Sequence, residues 1–315
     1  MSRNLMKNKQ FIGKGLIGEL YKRKLLYAMM SVGIIWTLIF AYIPMAGLVV
    51  AFKKFNYTDG IFKSPWTGFD NFKFLFANKD LINITYNTVY INLLFILFST
   101  AVSVILALLF VEIKSKVFKR VSQSIVILPY FISWAVVSMF LQGLIGDRGL
   151  INQLFAGLGM EKIMFYKEDT YWRAILVMLR IWQGAGFGTI IYIATITGFD
   201  TEIYEAARID GANRFQLISK LTIPMLKTTI VMLTLMSIGG IFRGDFGMIY
   251  ALIGDNSLLY RKTDVIDTYV YRALRQNSNL GFSTAVSFYQ STVGFVIVLA
   301  SNWLTRKLDP DSALF

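Results

Sequence analysis

A chain of 315 residues that is 55% hydrophobic and only 16% charged falls well below the charge content of ordinary soluble domains, which is about a quarter. It contains no cysteine and no histidine, which excludes disulfides, thiolate metal sites, cysteine nucleophiles and Ser-His-Asp chemistry, and leaves zinc without its usual ligands. The net charge of +13 is placed beside apolar runs, where it faces anionic lipid headgroups, so no nucleic acid is expected as a partner.

Crossing a bilayer takes about 20 apolar residues. The basic segment 1–24 ends in Lys22-Arg23-Lys24 and precedes a run from Leu25 to Phe52 that holds no charge. A signal peptide would have an apolar region about half as long with a small-residue cleavage site after it, so 25–52 reads as the first span. The second span covers 87–111, with no charge from Val89 to Val111. The third covers 121–146, with Pro129 as its expected kink. The fourth, 173–199, is interrupted by Arg180. The fifth, 221–242, is shorter and carries Lys227, which can snorkel to the near interface. The sixth, 281–305, ends at Trp303 with Arg306-Lys307 beyond it, an aromatic and basic anchor.

The expected architecture is therefore an all-α membrane protein with six transmembrane helices, its spanning domain occupying 25–310 after a cytoplasmic basic segment. Lys and Arg are denser in 1–24, 112–120, 198–222 and 303–315 than in 53–84, 147–170 and 243–280. That bias places both termini on the cytoplasmic side, although Lys53, Lys54, Lys63, Lys73 and Lys79 run against it. The outer loops carry aromatics and turn residues, such as Ser64-Pro65-Trp66-Thr67-Gly68-Phe69, and are expected to pack as short helices and turns.

Between spans four and five, the loop 200–222 reads as a short helix, a break and a second short helix. Asp200 and Glu202 put negative charge at the first helix's N-terminus, where the dipole favours it. Gly211 can take the left-handed conformation that ends a helix, and Ala206 and Ala207 keep one surface small enough for a partner to approach. Thr222 before Pro224 suits the start of a membrane helix, since proline is tolerated in a first turn.

Glu205-Ala206-Ala207, then three residues, Gly211, nine more, and Leu221-Thr222-Ile223-Pro224 resemble the EAA signature of binding-protein-dependent type I ABC importer permeases. The close is Leu-x-Ile-Pro instead of Ile-x-Leu-Pro, and Thr201 stands where the family often has proline. The resemblance implies a type I permease fold in a bacterial cytoplasmic membrane, with this loop as the coupling helix. In such a subunit Glu205 would pair with a basic residue of an ATPase subunit, Asp210 would lie beside it, and Gly211 would permit the turn. It further implies a second homologous permease, two ATPase subunits that use ATP and Mg, and an extracytoplasmic sugar-binding lipoprotein.

The chain itself would then be no enzyme and bind no cofactor. It lacks a Gly-x-x-x-x-Gly-Lys-Ser/Thr phosphate loop, and Gly184, Gly186 and Gly188 lie in an apolar span, where close helix packing explains them. Gly149-Leu150-Ile151-Asn152 resembles the carbohydrate branch of the family, and Thr263-Asp264-Val265-Ile266-Asp267-Thr268-Tyr269-Val270-Tyr271 resembles permeases for complex oligosaccharides. An importer of a non-sugar solute is the alternative. An ion-coupled secondary transporter would need an acidic residue within a span, and the uncharged spans have none.

Candidate residues of the substrate path are Arg180 and Gln183, which share a face of span four, with Asn92 in span two and Tyr289 and Gln290 in span six. An arginine in mid-span costs about 2.5–3.5 kcal/mol unless a partner or water receives it, so Arg180 implies either a hydrophilic cavity or a structural ion pair. Arg243 and Asp245, at the end of span five, are expected to pair with each other or with a docked protein.

Overall fold

The computed structural model describes residues 24–77 and 79–308. Except for Lys24, the basic segment 1–24 lies outside the described residues, as do 309 and 310. The helices are α1 (Lys24–Phe52), α2 (Asp70–Ala77), α3 (Lys79–Glu112), α4 (Lys116–Ile127), α5 (Trp134–Ile145), α6 (Leu150–Gly157), α7 (Trp172–Thr197), α8 (Thr201–Ile209), α9 (Arg214–Ile238), α10 (Phe246–Ile253), α11 (Ile266–Asn277) and α12 (Leu280–Leu308). Among the described residues no strand forms beyond one isolated bridge between Lys53 and Trp66. Five helices, α1, α3, α7, α9 and α12, are long and apolar enough to cross a membrane, and the broken pair α4–α5 makes a sixth crossing if counted as one span.

The centre of the molecule is the seam between α3 and α7, the most extensive helix contact. These helices run parallel: Asn87 accepts from Arg173 near their N-terminal ends, and Ser103 meets Ala185 and Thr189 further along. Glycine permits the approach. A Cβ on Gly188 would come 2.7 Å from the Ser103 hydroxyl, and one on Gly186 would come 2.1 Å from the Val126 carbonyl of α4. Around this seam, α5 and α10 pack on one flank, α11 and α12 on another, and α9 on a third. Most of α1 stands apart: nothing from Lys24 to Met45 is buried, and only its last stretch, Ala46–Phe52, packs, chiefly against α12.

The expectation of a third span kinked at Pro129 needs correction. After α4 the chain winds through a 3₁₀ turn, Leu128–Phe131, becomes extended at Ile132 and Ser133, and restarts as α5. The segments Lys116–Phe131 and Trp134–Gly157 diverge by 97°. Proline tightens the end of α4, but the break lies at Ser133, whose hydroxyl caps the new helix by accepting from Val136 N–H.

Span five also differs from its expected limits. Its helix begins at Arg214, inside the loop assigned to coupling, because Asn213 and Gln216 form a reciprocal capping box. Pro224 therefore sits inside a longer helix, and a π turn at Ile218–Thr222 precedes it. The same pairing occurs in α1, where a π turn at Leu38–Tyr42 precedes Pro44. Proline lacks an N–H and crowds the carbonyl four residues back; a wider turn just before it relieves both.

The loop 53–69 shows where one of the awkward lysines goes. Lys53 is buried and donates to the carbonyls of Ile61 and Phe62 at 2.7 and 3.0 Å, with its ammonium 5.1 Å from the Trp66 ring centre. It closes a turn and so gives no information about sidedness.

Candidate functional site

Two places gather the candidate residues, a projecting hairpin and a chamber beside Arg180. In the hairpin, Asp200 caps α8 by accepting from Glu202 N–H at 2.9 Å. The far end closes in a Schellman arrangement: Ala212 N–H reaches the Ala207 carbonyl, Gly211 N–H reaches that of Arg208, and Gly211 has φ +83°. Glu205, Ala206, Asp210 and Gly211 are exposed and Ala207 is half-buried. Ile209 and Phe215 are 87% and 77% exposed on the same projection. Among the described residues Glu205 and Asp210 make no ion pair, so both carboxylates remain available. The base of the hairpin is held by a Tyr204–Thr222 hydroxyl contact of 3.1 Å and by an exposed Arg214–Glu112 pair at 3.6 Å, the latter worth little in water. Pro224 is exposed on α9, two turns and more beyond the start of that helix.

The chamber is a cavity of about 450 Å³ lined by residues from α3, α7, α9 and the 3₁₀ turn, among them Ser99, Tyr130, Arg180, Gln183, Phe187 and Ser237. Tyr130 and Phe187 stack with centroids 4.4 Å apart and planes at 9°. The Ser99 hydroxyl oxygen is buried without a hydrogen-bond partner. Gln183 is buried and donates to the Ile132 carbonyl at 2.8 Å, pinning the chain where α4 and α5 separate. Arg180 Nη1 donates to Asp245 Oδ2 at 2.9 Å. Asp245 thus pairs with Arg180 rather than with Arg243, which is exposed; its other oxygen caps α10 by accepting from Met248 N–H at 3.0 Å.

The remaining path candidates do not line this chamber. Asn92 donates to the carbonyls of Thr88, Ile241 and Arg243. Gln290 donates to the Phe242 carbonyl and to Asp267 Oδ2, and Tyr289 packs in the cluster around Phe242 and Val286. Asp267 also accepts from Gly244 N–H. These residues fasten the turn after α9. Burial raises the Asp267 carboxyl above its ordinary range. At the same end of the molecule, the Arg261 guanidinium holds Asp169 below its ordinary value, with a fork of 2.7 and 3.0 Å.

The two stretches that resemble sugar permeases are structural clips. Asn152 is fully buried and exchanges hydrogen bonds with Ile163 at 2.9 Å while donating to the Gly146 carbonyl. Asp264 pairs with Arg272 and accepts from Thr268 at 2.6 Å. Sequence reasoning missed Ser99, Tyr130 and Phe187. The hydroxyls Ser99 and Ser103, one helical turn apart in an apolar span, were the available signal.

A helical bundle of this kind, with a chamber that holds Arg180 between its spans and a hairpin projecting from one end, has the form of the membrane-spanning part of a transporter. The chain belongs to the family described as binding-protein-dependent transport system inner membrane component, whose model matches residues 99–311. It is a multi-pass membrane permease. It is 36% identical to Protein LplB of Bacillus subtilis over 95% of this chain and 94% of that protein. It is also 36% identical to the polygalacturonan/rhamnogalacturonan transport system permease protein YteP of the same organism, over 93% and 91% of the two chains. A chain in the crystal structure of a bacterial alginate ABC transporter in complex with an alginate pentasaccharide-bound periplasmic protein superposes with a TM-score of 0.84 at 34% identity, covering 93% of this chain and 98% of that one.

Proposed function

We propose that this permease forms half of the path of an ATP-driven importer for acidic oligosaccharides. The observation that carries the reading is Arg180, a cation in a span with its Nε and Nη2 edge unengaged among the described residues, lining a chamber that also presents a stacked aromatic pair. Aromatic faces suit the apolar faces of pyranose rings, and a guanidinium suits a uronate carboxylate. The names of the relatives support this cargo, since polygalacturonan and alginate are polymers of acidic sugars.

In this reading both termini are cytoplasmic and a second homologous permease completes the path. Two ATPase subunits, which use ATP and Mg, receive the hairpin, with exposed Glu205 offered to a basic residue and Ile209 and Phe215 to an apolar groove. An extracytoplasmic sugar-binding lipoprotein delivers cargo. Closure of the ATPases pulls α8, and α7 and α9, which it joins, rock together. The chain catalyses no reaction of its own.

The test is uptake of trigalacturonate by proteoliposomes carrying the complete complex. Arg180→Met should reduce uptake about tenfold or more, the value of one charged hydrogen bond to cargo. Unchanged uptake by an assembled complex would reject the chamber as the cargo path.

A further inference from the structure

We infer that Asp245 is an internal stand-in for the cargo's carboxylate: it holds Arg180 while no cargo is present and yields it to a uronate when the chamber fills. The inference rests on the acidic-cargo reading and adds a specificity device to it.

Comparison with two other ion pairs at this end of the molecule shows why this one can exchange. Asp264 and Arg272 have 6% and 11% of their side chains exposed, and the pair is further fixed by Thr268 and by the Tyr260 ring, 4.0 Å from the guanidinium. Asp169 is gripped by a two-point fork from Arg261 and by Lys262 at 3.5 Å. The Arg180–Asp245 pair is neither enclosed nor forked. It has one hydrogen bond, Nη1 to Oδ2, between side chains 40% and 27% exposed, and its nearest ring, Phe95, lies 5.9 Å from the guanidinium against 4.0 Å for Tyr260 and Arg272. A two-point carboxylate–guanidinium match is stronger than a one-point match, so an entering carboxylate that engages the Nη1–Nη2 edge can outcompete Asp245 for Nη1.

Both partners have somewhere to go. Asp245 keeps its second oxygen on Met248 N–H at the start of α10, where the helix dipole favours an anion. Arg180 faces a chamber whose lining also includes Ser99, with its hydroxyl oxygen buried and unsatisfied. Arg180 would then carry a counter-ion in both the loaded and unloaded path. A neutral sugar cannot supply one; to use the arginine it would have to leave Asp245 in place. The device favours acidic over neutral chains without a second cation.

Asparagine caps helices as well as aspartate does, so Asp245→Asn removes the charge and keeps the α10 cap. The experiment is calorimetric titration of the complete transporter in lipid nanodiscs, without binding protein, using trigalacturonate and its methyl ester. Asp245→Asn should tighten trigalacturonate binding about tenfold and leave the ester's affinity unchanged. Asp245→Ser, which also caps, should behave alike and guards against a folding artefact in either variant. Weaker trigalacturonate binding, or equal changes for acid and ester, would overturn the exchange. Arg180→Met separates the two readings: if it abolishes the preference for acid over ester while Asp245→Asn changes nothing, the chamber stands and the exchange falls. If Arg180→Met leaves the preference intact, both fall.

Discussion

At one end, α9 is entered through a hairpin whose shaping hydrogen bonds, Asp200 to Glu202, Gly211 to Arg208, Ala212 to Ala207 and Asn213 with Gln216, all lie within five residues. At the other end, α9 leaves through the turn 239–245, whose local backbone bonds, Gly240 to Ser237, Ile241 to Ile238 and Arg243 to Gly240, are joined by bonds from four other helices. There Asn92 of α3 holds two carbonyls, Gln290 of α12 a third, Asp267 of α11 an N–H, and Arg180 of α7 the carboxylate of Asp245. A locally closed element keeps its shape when its surroundings move, as the coupling role proposed for it requires. A turn fastened by four separate helices takes its shape from their relative positions, so it registers any movement among them.

The comparison can be broken from either side. The largest effect is expected at the turn. Asp267→Ala leaves Gly244 N–H and the Gln290 amide without their shared acceptor, at a cost of about 2–3 kcal/mol. Thermal unfolding of the purified complex should show the loss while ATPase subunits still copurify in full ratio. Loss of the ATPase with it would mean that the two ends are not independent.

Gly211→Val is the counterpart at the hairpin. A β-branched residue at φ +83° costs about 1–2 kcal/mol, and the strain falls on a turn with no tertiary support. Copurification of the ATPase should drop while the melting temperature moves little. A melting temperature that falls as far as in Asp267→Ala would show that the hairpin is part of the bundle's stability.

The smallest effect is in pH. Folding raises the Asp267 carboxyl because burial penalises its charge. Protonation therefore favours the folded state, with the contribution complete below the ordinary value of 3.8 and lost as pH climbs through the raised one. Asp267→Asn should flatten the fall in melting temperature on the alkaline side of 3.8; identical slopes in both proteins would discard the burial argument.

The same contrast governs what could be read from the chain alone. Asp200, Gly211 and the Glu-Ala-Ala string announce the hairpin because their partners are neighbours in sequence. The capping box Asn213-x-x-Gln216 was equally legible, but Pro224 drew the helix start toward itself, and the π turn that lets a helix run through it leaves no simple pattern. Pro129 marked a disturbance, yet the 97° turn depends on where Ser133 caps and on Gln183, far along the chain, holding Ile132. Arg180 was recognisable as needing a partner. That the partner is Asp245 instead of a neighbour follows from packing α7 against the turn after α9, and no periodicity encodes that. The chamber, assembled from α3, α7, α9 and a 3₁₀ turn, was hidden for the same reason.

The π turn at Ile218–Thr222 has one more consequence. It puts a surplus residue into α9 between the hairpin and the spanning part, so the angular setting of one relative to the other is counted in amino acids. Were ordinary winding to resume there with that residue still in place, the handle would swing by about 100° around the helix axis, misaiming a drive shaft whose two halves are each intact.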